Sequence, residues 1–595
     1  MKNKRLIYPL FVVVVYLFTS CNDEFLDRTP LDRISNETFW NSENDLRVYN
    51  NGLYHLAAVD DNNVSIMMGH DDGFESLKYG IWYIDEYSDN IAPRHSRHLA
   101  YQQLRSGKHT VPSSAGGDGQ WYGYKGWNFV RAVNIGLDNY NKAKIPQATI
   151  DRYAGEARLF RGWFYADKVA KFGDAPWVDH ELTVDSEELY AARTPREEVM
   201  DNVLADLTFA TEKIPANWGD GAGPGRMNRW AALLIKSRVC LFEGTWRKYH
   251  GGSNPEKWLQ EAATAAKEII EKGPYKLYST GTPSRDYNAI HRIQNDLTGV
   301  AEVMYWRRYQ LGVFTNHVQS YHREYNGGAT KSMVEDYLCT DGLPISLSPL
   351  YKGDAKIEDV FENRDPRLRQ TILHPDDVKF YAFGNNDTRP YPRLAGMDGG
   401  MPSETGYHII KVYDNNTAYA TYNISNTPAI TMRFGEALLN YAEAVAELGT
   451  ITQADLDLTI NKLRSRVGMP SLNIGSVPVD PRYVNDGVSP LIVEIRRERR
   501  IELFMEGFRY DDLRRWKQGK KLEVPSYGIR WDDAAKARYP KANVKFSLVN
   551  GVPYINVYLG TDFATPVFDE AKHYLWPIPL NDLSQNPAIK QNPGW

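Results

Sequence analysis

Hydrophobic and charged residues alternate most densely in residues 489–516, in the pattern of an α-helix that contacts protein on more than one side. Ser489 predicts the helix start, because its hydroxyl can cap free N–H groups and the proline that follows fits the first helical position. Gly507 predicts the helix end, and Asp511 or Asp512 is expected to cap a short second helix. At 100° per residue, apolar residues lie on two nearly opposite sides with charges between them. These apolar residues are Leu491, Ile492, Ile495 and Leu503 on one side, and Val493, Phe504 and Phe508 on the other.

The charges of this helix predict ion pairs within it. Glu494 and Arg497, and likewise Arg499 and Glu502, have the i,i+3 spacing that brings opposite charges together on one helix. Such pairs suit a helix that is packed between other elements. We therefore interpret this stretch as a scaffold element and not as a basic binding surface.

Further segments with helical spacing are predicted to pair along the chain. Small residues at Ala262, Ala265 and Ala266 allow close helix contact, as tetratricopeptide repeats require. The tetratricopeptide consensus of about 34 residues is absent, so the sequence itself contains only degenerate repeats. The predicted pairs are 127–143 with 150–172, 195–214 with 229–249, 255–272 with 433–448, and 453–467 with the opening helix at 43–58.

Two loop-rich regions interrupt the predicted helices. Residues 60–121 contain several turn clusters, and residues 274–432 place a predicted strand at 301–309 between loops rich in glycine and proline. We predict one domain after a signal peptide. The predicted parts are a signal peptide at 1–20, a domain at 21–595, a helical scaffold at about 122–272 and 433–520, loop-rich ligand-binding regions at about 60–121 and 274–432, and a C-terminal tail at 521–595.

The N-terminus has the pattern of a secretory leader. A basic segment at 1–5 precedes an apolar run at 6–18 and two small residues, which is typical of a signal peptide. The apolar run is too short for a stable membrane span. Cys21 directly follows the small residues, so we expect a lipoprotein signal and lipidation of Cys21, although Phe18 stands where leucine is commoner. An ordinary thiol behind a conventional cleavage site is the alternative.

Composition excludes one class of partner and favours another. Because 70 basic residues are balanced by 75 acidic ones, the net charge is −5 and no basic footprint for nucleic acid exists. The 38 tyrosines and 15 tryptophans exceed what a core alone demands, and many lie in the loops of 60–121. A sugar presents hydroxyls and weakly apolar C–H faces, so exposed aromatic rings beside polar side chains predict glycan binding.

Catalytic and metal-binding motifs are missing from the sequence. It contains no HExxH, no GxSxG and no phosphate loop with lysine, so we expect no enzyme. Adjacent acids such as Asp376 and Asp377 can in principle serve a glycosidase, but in such loops they are usually solvated. Beyond Cys21, only Cys240 and Cys339 remain, too few for a disulfide framework or a cysteine metal site. We expect no cofactor, and no EF-hand motif supports a structural Ca²⁺ ion.

Several separate motifs along the chain form a specific combined pattern. They are Glu498, Arg499, Arg500, Glu502, Leu503, Glu506, Gly507, Arg509, Asp511, Leu513 and Arg514, together with Phe25, Leu26, Asp27 and Pro30, the segments 49–54, 85–90 and 154–178, and the terminal 586–595. The C-terminal signature, from Glu498 to Arg514, is the most specific part. Together these motifs resemble the SusD/RagB family of surface lipoproteins, which bind nutrients beside TonB-dependent transporters. The similarity covers both ends of the chain and the helical scaffold.

The resemblance implies a fold and a site. The fold is mainly α, an irregular tetratricopeptide-like scaffold of four repeats with long loop-rich insertions and a few short strands. The ligand site of the family is built by the loops before the second helix and by the central insertion. Carried onto this chain, it gives as candidate ligand-binding residues Trp82, Tyr101, Trp121, Tyr309 and Tyr325, with Trp306 and Asn90 behind them.

The resemblance also implies a function and partners. The protein is expected to be a lipid-anchored outer-membrane protein, facing the cell exterior, that captures oligosaccharide or polysaccharide and delivers it to a TonB-dependent (SusC-like) transporter. Asn22, Asp23 and Glu24 resemble the acidic signal for surface display. Two alternatives remain open, namely the same fold binding peptide or protein, as the RagB branch implies, and a secreted glycoside hydrolase. No feature of the sequence encodes which glycan is bound.

Overall fold

The computed structural model describes most of the chain. The described residues are 39–58, 69–70, 80–81, 83–93, 99–115, 123–219, 225–319, 327–377, 381–382, 385–386, 392–397, 403–414, 416, 418 and 424–595. Within these ranges every helix is either too short or too polar to cross a bilayer.

Helices dominate the described chain. The α-helices are α1 Glu43–Ala58, α2 Leu99–Arg105, α3 Trp127–Asn139, α4 Gln147–Phe172, α5 Arg196–Lys213, α6 Arg229–His250, α7 Pro255–Lys272, α8 Pro283–Ala289, α9 Lys331–Asp336, α10 Pro366–Thr371, α11 Phe434–Glu447, α12 Gln453–Leu458, α13 Ile460–Arg466, α14 Pro490–Glu502, α15 Arg509–Arg515, α16 Asp533–Arg538 and α17 Leu580–Gln585. Short 3₁₀ helices are Tyr83–Tyr87, Tyr140–Lys142, Glu187–Tyr190, Ile290–Arg292, Asp359–Phe361, Ile474–Ser476, Pro481–Tyr483 and Gly519–Glu523. The prediction of a mainly α protein with a few short strands is confirmed.

The strands form three small sheets. They are β1 Val303–Arg307, β2 Tyr381–Ala382, β3 Asn385–Asn386, β4 Ala429–Arg433, β5 Tyr527–Arg530, β6 Phe546–Val549 and β7 Val552–Asn556. Strand β1 lies within the predicted 301–309 segment and pairs antiparallel with β4, where Trp306 is opposite Ile430. Strands β2 and β3 form a hairpin, and the third sheet has the order β5-β7-β6.

Close helix packing holds the scaffold together, and small residues make it possible. Helix α4 packs along α5, and α6 along α7. A Cβ atom on Gly244 of α6 would lie 2.9 Å from Leu259 Cγ of α7, so only glycine allows this approach. Ala262 and Ala266 of α7 are fully buried at the same type of contact. One hydrophobic core runs through α1, α3 to α7 and α11.

The first three predicted helix pairs are in contact, and the fourth is not as expected. Helix α3 contacts α4, α5 contacts α6, and α7 contacts α11. The opening helix α1 packs on α3 and α4, whereas α12 and α13 pack on α11 and α13 also on α14. Sequence periodicity located these helices, but it carries no information on which distant helix each one meets.

Helix α14 lies between two hydrophobic cores, as predicted from its two apolar sides, except that Phe508 packs against the core of the helical scaffold and not on the side of Phe504. Ile495 belongs to the core of the helical scaffold. Ile501, together with Phe504 just after the helix, belongs to a second core under the central insertion and the C-terminal sheet. The Ser489 hydroxyl accepts a hydrogen bond from the Ile492 amide at 3.3 Å, which confirms the predicted cap. The predicted helix end at Gly507 is wrong, because α14 already ends at Glu502, and Gly507 lies with φ of +81° in the turn before α15.

The details of the second helix and of the ion pairs differ from the prediction. Helix α15 already begins after Phe508, so Asp511 and Asp512 lie in its first turn and do not cap it. The predicted pair of Glu494 with Arg497 is present at 3.0 Å. The predicted pair of Arg499 with Glu502 is replaced by tertiary contacts, because a helix that is buried all round meets charges from other elements. Arg499 binds Asp512 at 2.9 Å, and Glu502 accepts from Arg367, Arg433 and Arg466 at 3.1, 2.7 and 2.7 Å.

Candidate ligand-binding surface

Tyr101, a predicted ligand residue, is part of the protein interior. It lies on α2 with 1% of its surface exposed and stacks on Tyr87 with ring centroids 4.6 Å apart. Tyr87 in turn contacts Tyr510 and Trp576. A ring covered on both faces cannot stack on a sugar, so the structure gives Tyr101 a packing role.

Asn90 is also buried, and its partner explains why. Its side-chain oxygen accepts a hydrogen bond from Arg500 Nε at 2.8 Å, and the neighbouring Asp89 binds Arg500 and Arg509 at 3.1 and 2.8 Å. The Asp-Asn element before the second helix is therefore an anchor onto α14 and α15. It is not part of an exposed rim.

Trp306 and Tyr309 flank the end of strand β1, both facing inward. Trp306 is 5% exposed and packs with Ile290, Leu297 and Ile430. Tyr309 is 1% exposed, and its hydroxyl donates to the His70 carbonyl oxygen at 3.0 Å. Strand β1 is buried on both faces from Val303 to Trp306, so its ring side chains pack in the interior whichever face they are on.

The other predicted residues lie outside the described part of the chain. They are Trp82, Trp121 and Tyr325, together with Cys21. Their roles stay predictions.

An exposed turn follows strand β1. It begins directly after Tyr309, one of the predicted ligand residues of the central insertion. Gln310 and Phe314 pair with each other, their amides donating to the opposite carbonyl at 2.8 and 3.0 Å, and Gly312 between them has φ of +78°. Leu311 and Val313 at the tip are 55% and 77% exposed. We refer to residues 307–314 as the β1 hairpin.

A stack of rings runs from the interior to the surface of the β1 hairpin. His70 lies at the inner end, with its ring 5.9 Å from that of Tyr309. Phe314 lies at the outer end, half-buried, and its ring stacks on Tyr309 with centroids 5.2 Å apart and planes 13° apart. The Arg307 guanidinium lies 4.8 Å from the Phe314 ring centroid. Such a cation over an aromatic face holds the ring in a defined orientation.

Glycine at position 69 makes this arrangement possible. A Cβ atom there would lie 2.2 Å from Tyr309 Oη and 2.5 Å from Arg307 Cδ. Burial lowers the pKa of His70 to about 3, so the inner end of the stack is uncharged at neutral pH. The surface is therefore a rigid, mainly apolar platform with a guanidinium at its side.

This geometry suits a ligand with flat apolar faces and polar edges. The half-exposed Phe314 ring and the exposed Leu311 and Val313 offer apolar contact, and Arg307 and the exposed Arg308 offer N–H donors. Of the hairpin residues, Tyr309 is among the predicted ligand residues, whereas Arg307 and Phe314 are not. The sequence does contain a pattern that indicates this turn. Gly312 lies between the aromatic residues Tyr309 and Phe314, at the end of a predicted strand.

The side chains that could ligate a metal are scattered over the described residues. Within them, no group of three or more His, Cys, Asp or Glu side chains is placed to hold a metal ion. Cys240 and Cys339 are buried free thiols. Burial raises the pKa of Cys240 well above its usual range, as for a thiol that serves as a small core residue.

Two family models match the chain. The model of the SusD family matches residues 289–595, and a model described as "Starch-binding associating with outer membrane" matches residues 24–241. The first alone covers half of the chain, so the chain belongs to the SusD family, as the motif resemblance predicted.

Individual relatives agree with this assignment. A SusD-like protein of Bacteroides ovatus is 22% identical over 100% of this chain and 98% of its own length. SusD-like protein P38 of Formosa agariphila is 24% identical over 89% of this chain and 95% of its own. Among solved structures, a SusD-like carbohydrate binding protein of Bacteroides fragilis has a TM-score of 0.70 at 22% identity, covering 93% of this chain and 100% of that one. Surface glycan-binding protein A of Bacteroides fluxus has a TM-score of 0.60 at 16% identity, covering 93% and 100%. At these identities the structural matches define the SusD-like fold.

Proposed function

We propose that this protein is a glycan-binding lipoprotein of the outer membrane, which captures an oligosaccharide or polysaccharide at the cell surface and delivers it to a partner TonB-dependent transporter. The observation that carries the proposal is the β1 hairpin, where an ordered ring stack ends in a half-exposed phenyl face beside exposed aliphatic residues. Membership of the SusD family supports it. So do the carbohydrate-binding and glycan-binding descriptions of two proteins with the same fold.

Capture and delivery need no bond-breaking residue. A lipid on Cys21 tethers the protein, the hairpin holds the sugar chain by stacking and hydrogen bonding, and the transporter receives it. The adjacent acids at 376–377 have local roles, since Asp377 pairs with Arg369 at 2.8 Å. We therefore propose a binding protein and not an enzyme.

Titration calorimetry against a panel of polysaccharides and a peptide mixture tests this function. Phe314→Ala is expected to weaken glycan binding by about tenfold, the effect of losing one stacking partner. Tyr190→Ala is the matched control, because Tyr190 is a 66% exposed aromatic residue outside the hairpin. Trp82→Ala and Trp121→Ala extend the test to predicted residues in the loops.

Each other outcome points to a different function. Binding of peptides without glycans would overturn the proposal in favour of a peptide-binding SusD-like protein. Release of reducing sugar on prolonged incubation would show a hydrolase.

The anchor and the partner are tested in cells. Cys21→Ala is expected to release the protein from the outer membrane, and a tagged wild-type protein is expected to co-purify with a TonB-dependent transporter. Membrane retention of the Cys21→Ala variant would contradict the proposed anchor.

A further inference from the structure

A cleft lies outside the β1 hairpin, between two helical segments of the central insertion. One wall is α8 with the 3₁₀ helix Ile290–Arg292, and the other is α10. The volume of the cleft is about 810 Å³, within the range of small-molecule sites. None of its lining residues belongs to the hairpin.

Arginines dominate the charge of this cleft. Arg285, Arg292, Arg364 and Arg369 line it, against Asp365 and Asp377. Both acids already have partners, because Asp365 pairs with the fully buried Arg367 at 2.7 Å and Asp377 pairs with Arg369 at 2.8 Å.

The charges of the other three arginines that line the cleft are not neutralised by an ion pair. Among the described residues, Arg285, Arg292 and Arg364 form no ion pair. The charge of Asp414 acts on Arg292 without an ion-pair contact. The cleft is thus locally basic in a protein whose net charge is −5.

Arg364 is the most informative of these residues. It is 5% exposed, and its guanidinium donates to the carbonyl oxygens of Val334, Tyr337 and Val360 at 2.7, 2.7 and 3.0 Å. Its Nε atom is buried without a hydrogen-bond partner. The guanidinium also lies 5.4 Å from the Tyr351 ring centroid, and none of these partners is a carboxylate. A buried cation without an ion-pair partner adds positive potential to the cleft beside it, so the cleft favours a negatively charged ligand group.

The remaining walls suit a sugar ring. Phe361 is half-buried, and Leu373, Ile410 and Tyr413 add apolar surface next to the arginines. Apolar walls with a few convergent charged donors are the composition that a ring with an anionic substituent requires.

We propose that this cleft binds the anionic group, a carboxylate or a sulfate ester, of an acidic oligosaccharide. This inference rests on the proposed glycan-binding function and narrows its ligand to acidic glycans. Arg285 and Arg292, both exposed at the rim, recognise the anionic group, and the buried charge of Arg364 adds to the positive potential of the cleft.

Paired probes of equal length test the inference. Oligogalacturonate is compared with galacto-oligosaccharide for the carboxylate, and a sulfated carrageenan oligosaccharide with its desulfated form for the sulfate. The acidic member of at least one pair is expected to bind about tenfold more tightly or better, which corresponds to one or more charge-assisted contacts. Its affinity is expected to fall as sodium chloride is raised, while that of the neutral member stays level.

The double variant Arg285→Gln/Arg292→Gln locates the effect. It is expected to lower acidic binding by about tenfold and to leave neutral binding unchanged. Lys144→Gln/Arg152→Gln removes the same charge at two exposed residues outside the cleft and serves as the control. Arg292→Lys keeps the charge and is expected to retain most of the preference, which gives a second variant should the double variant fold poorly.

The outcomes separate the two proposals. Equal binding of neutral and acidic members overturns the cleft inference but leaves the glycan-binding function intact. A charge preference that survives in the Arg285→Gln/Arg292→Gln variant overturns the assignment to this cleft. Absence of all saccharide binding, with peptide binding present, overturns the proposed function itself.

Discussion

Helix α14 and the β1 hairpin are both rich in arginine, yet the structure uses these residues in opposite ways. Around α14 every arginine is buried and has a carboxylate partner. The shortest of these contacts are Arg496 with Glu447 at 3.0 Å, Arg497 with Asp480 at 2.6 Å, Arg499 with Asp512 at 2.9 Å and Arg500 with Asp336 at 2.5 Å. At the hairpin, Arg308 is exposed, Phe314 is half-exposed, and two aliphatic side chains face water.

The difference follows from the cost of burying charge. A buried guanidinium is costly without a counter-charge, and the carboxylates around α14 supply one for each of its arginines, so the charges of this network serve the scaffold. When a ligand covers apolar surface that was exposed to water, the burial of that surface contributes favourable free energy to binding. Charge density in the sequence therefore marks the scaffold here, and a short exposed turn marks the candidate site.

Acidification is expected to have the largest effect on stability, because it acts on many buried carboxylates at once. Burial raises the pKa of Glu506 and Glu443, but neighbouring cations outweigh burial, Arg433 and Lys411 for the first and Arg515 and Arg499 for the second, and hold both pKa values at about 2. Unfolded glutamates titrate near about pH 4.3, so this stabilisation is fully present above that pH and is lost as the pH falls toward about 2.

Urea unfolding at a series of pH values measures this loss. The midpoint is expected to be level between about pH 7 and pH 5 and to fall steeply below about pH 4. By contrast, the low pKa of His70 leaves the ring stack uncharged, so affinity for a neutral glycan is expected to be constant from about pH 5 to pH 8. A urea midpoint that is unchanged at about pH 3 would show that the network is not what holds α14 in place.

Removing one acid from the network is the next largest change. Glu502→Ala leaves Arg367, Arg433 and Arg466 without their shared carboxylate, and the expected cost is about 3–5 kcal/mol of unfolding free energy. Glu271→Ala is the control, because Glu271 is half-exposed and its pair with Lys267 at 3.7 Å is worth at most about 0.5 kcal/mol. Equal midpoints for the two variants in urea would contradict the assigned importance of the buried pairs.

The sequence predicted the scaffold better than the site, and particular residues explain why. The cap at Ser489 depends on local chemistry, which a sequence contains, whereas the end of α14 at Glu502 lies five residues before the predicted glycine stop at Gly507. Asn90 and Tyr101 were predicted to be at the ligand surface, but α14 and Tyr87 cover them. Aromatic character and a loop position do not decide burial, because burial depends on which distant segment packs on the loop.

Gly69 packs against Tyr309 and Arg307 of the hairpin, so a substitution there tests how far the ring stack depends on this contact. Gly69→Ala places a methyl group against Tyr309 and Arg307, and overpacking of this kind costs about 1–3 kcal/mol. Glycan affinity is expected to fall as well, since both displaced side chains hold Phe314. Gly52→Ala on α1 has open space around the new methyl and is expected to stabilise the protein by up to about 1 kcal/mol. If Gly69→Ala changed neither the unfolding free energy nor the glycan affinity, Tyr309 and Arg307 would be able to move away from the methyl group without loss, and the expected rigidity of the ring stack would be contradicted.

The smallest effect on stability is expected at the tip of the hairpin, where the contrast with α14 is sharpest. Leu311→Ser/Val313→Ser changes two exposed side chains, so the unfolding free energy should stay within about 0.5 kcal/mol of wild type. If the tip contacts ligand, the same change removes apolar area that binding would bury, and glycan affinity should fall about three- to tenfold. Leu189→Ser, at a 45% exposed leucine outside the hairpin, should alter neither quantity. A tip variant that binds glycan as tightly as the wild type would move the site away from the β1 hairpin and toward the loops that carry Trp82 and Trp121.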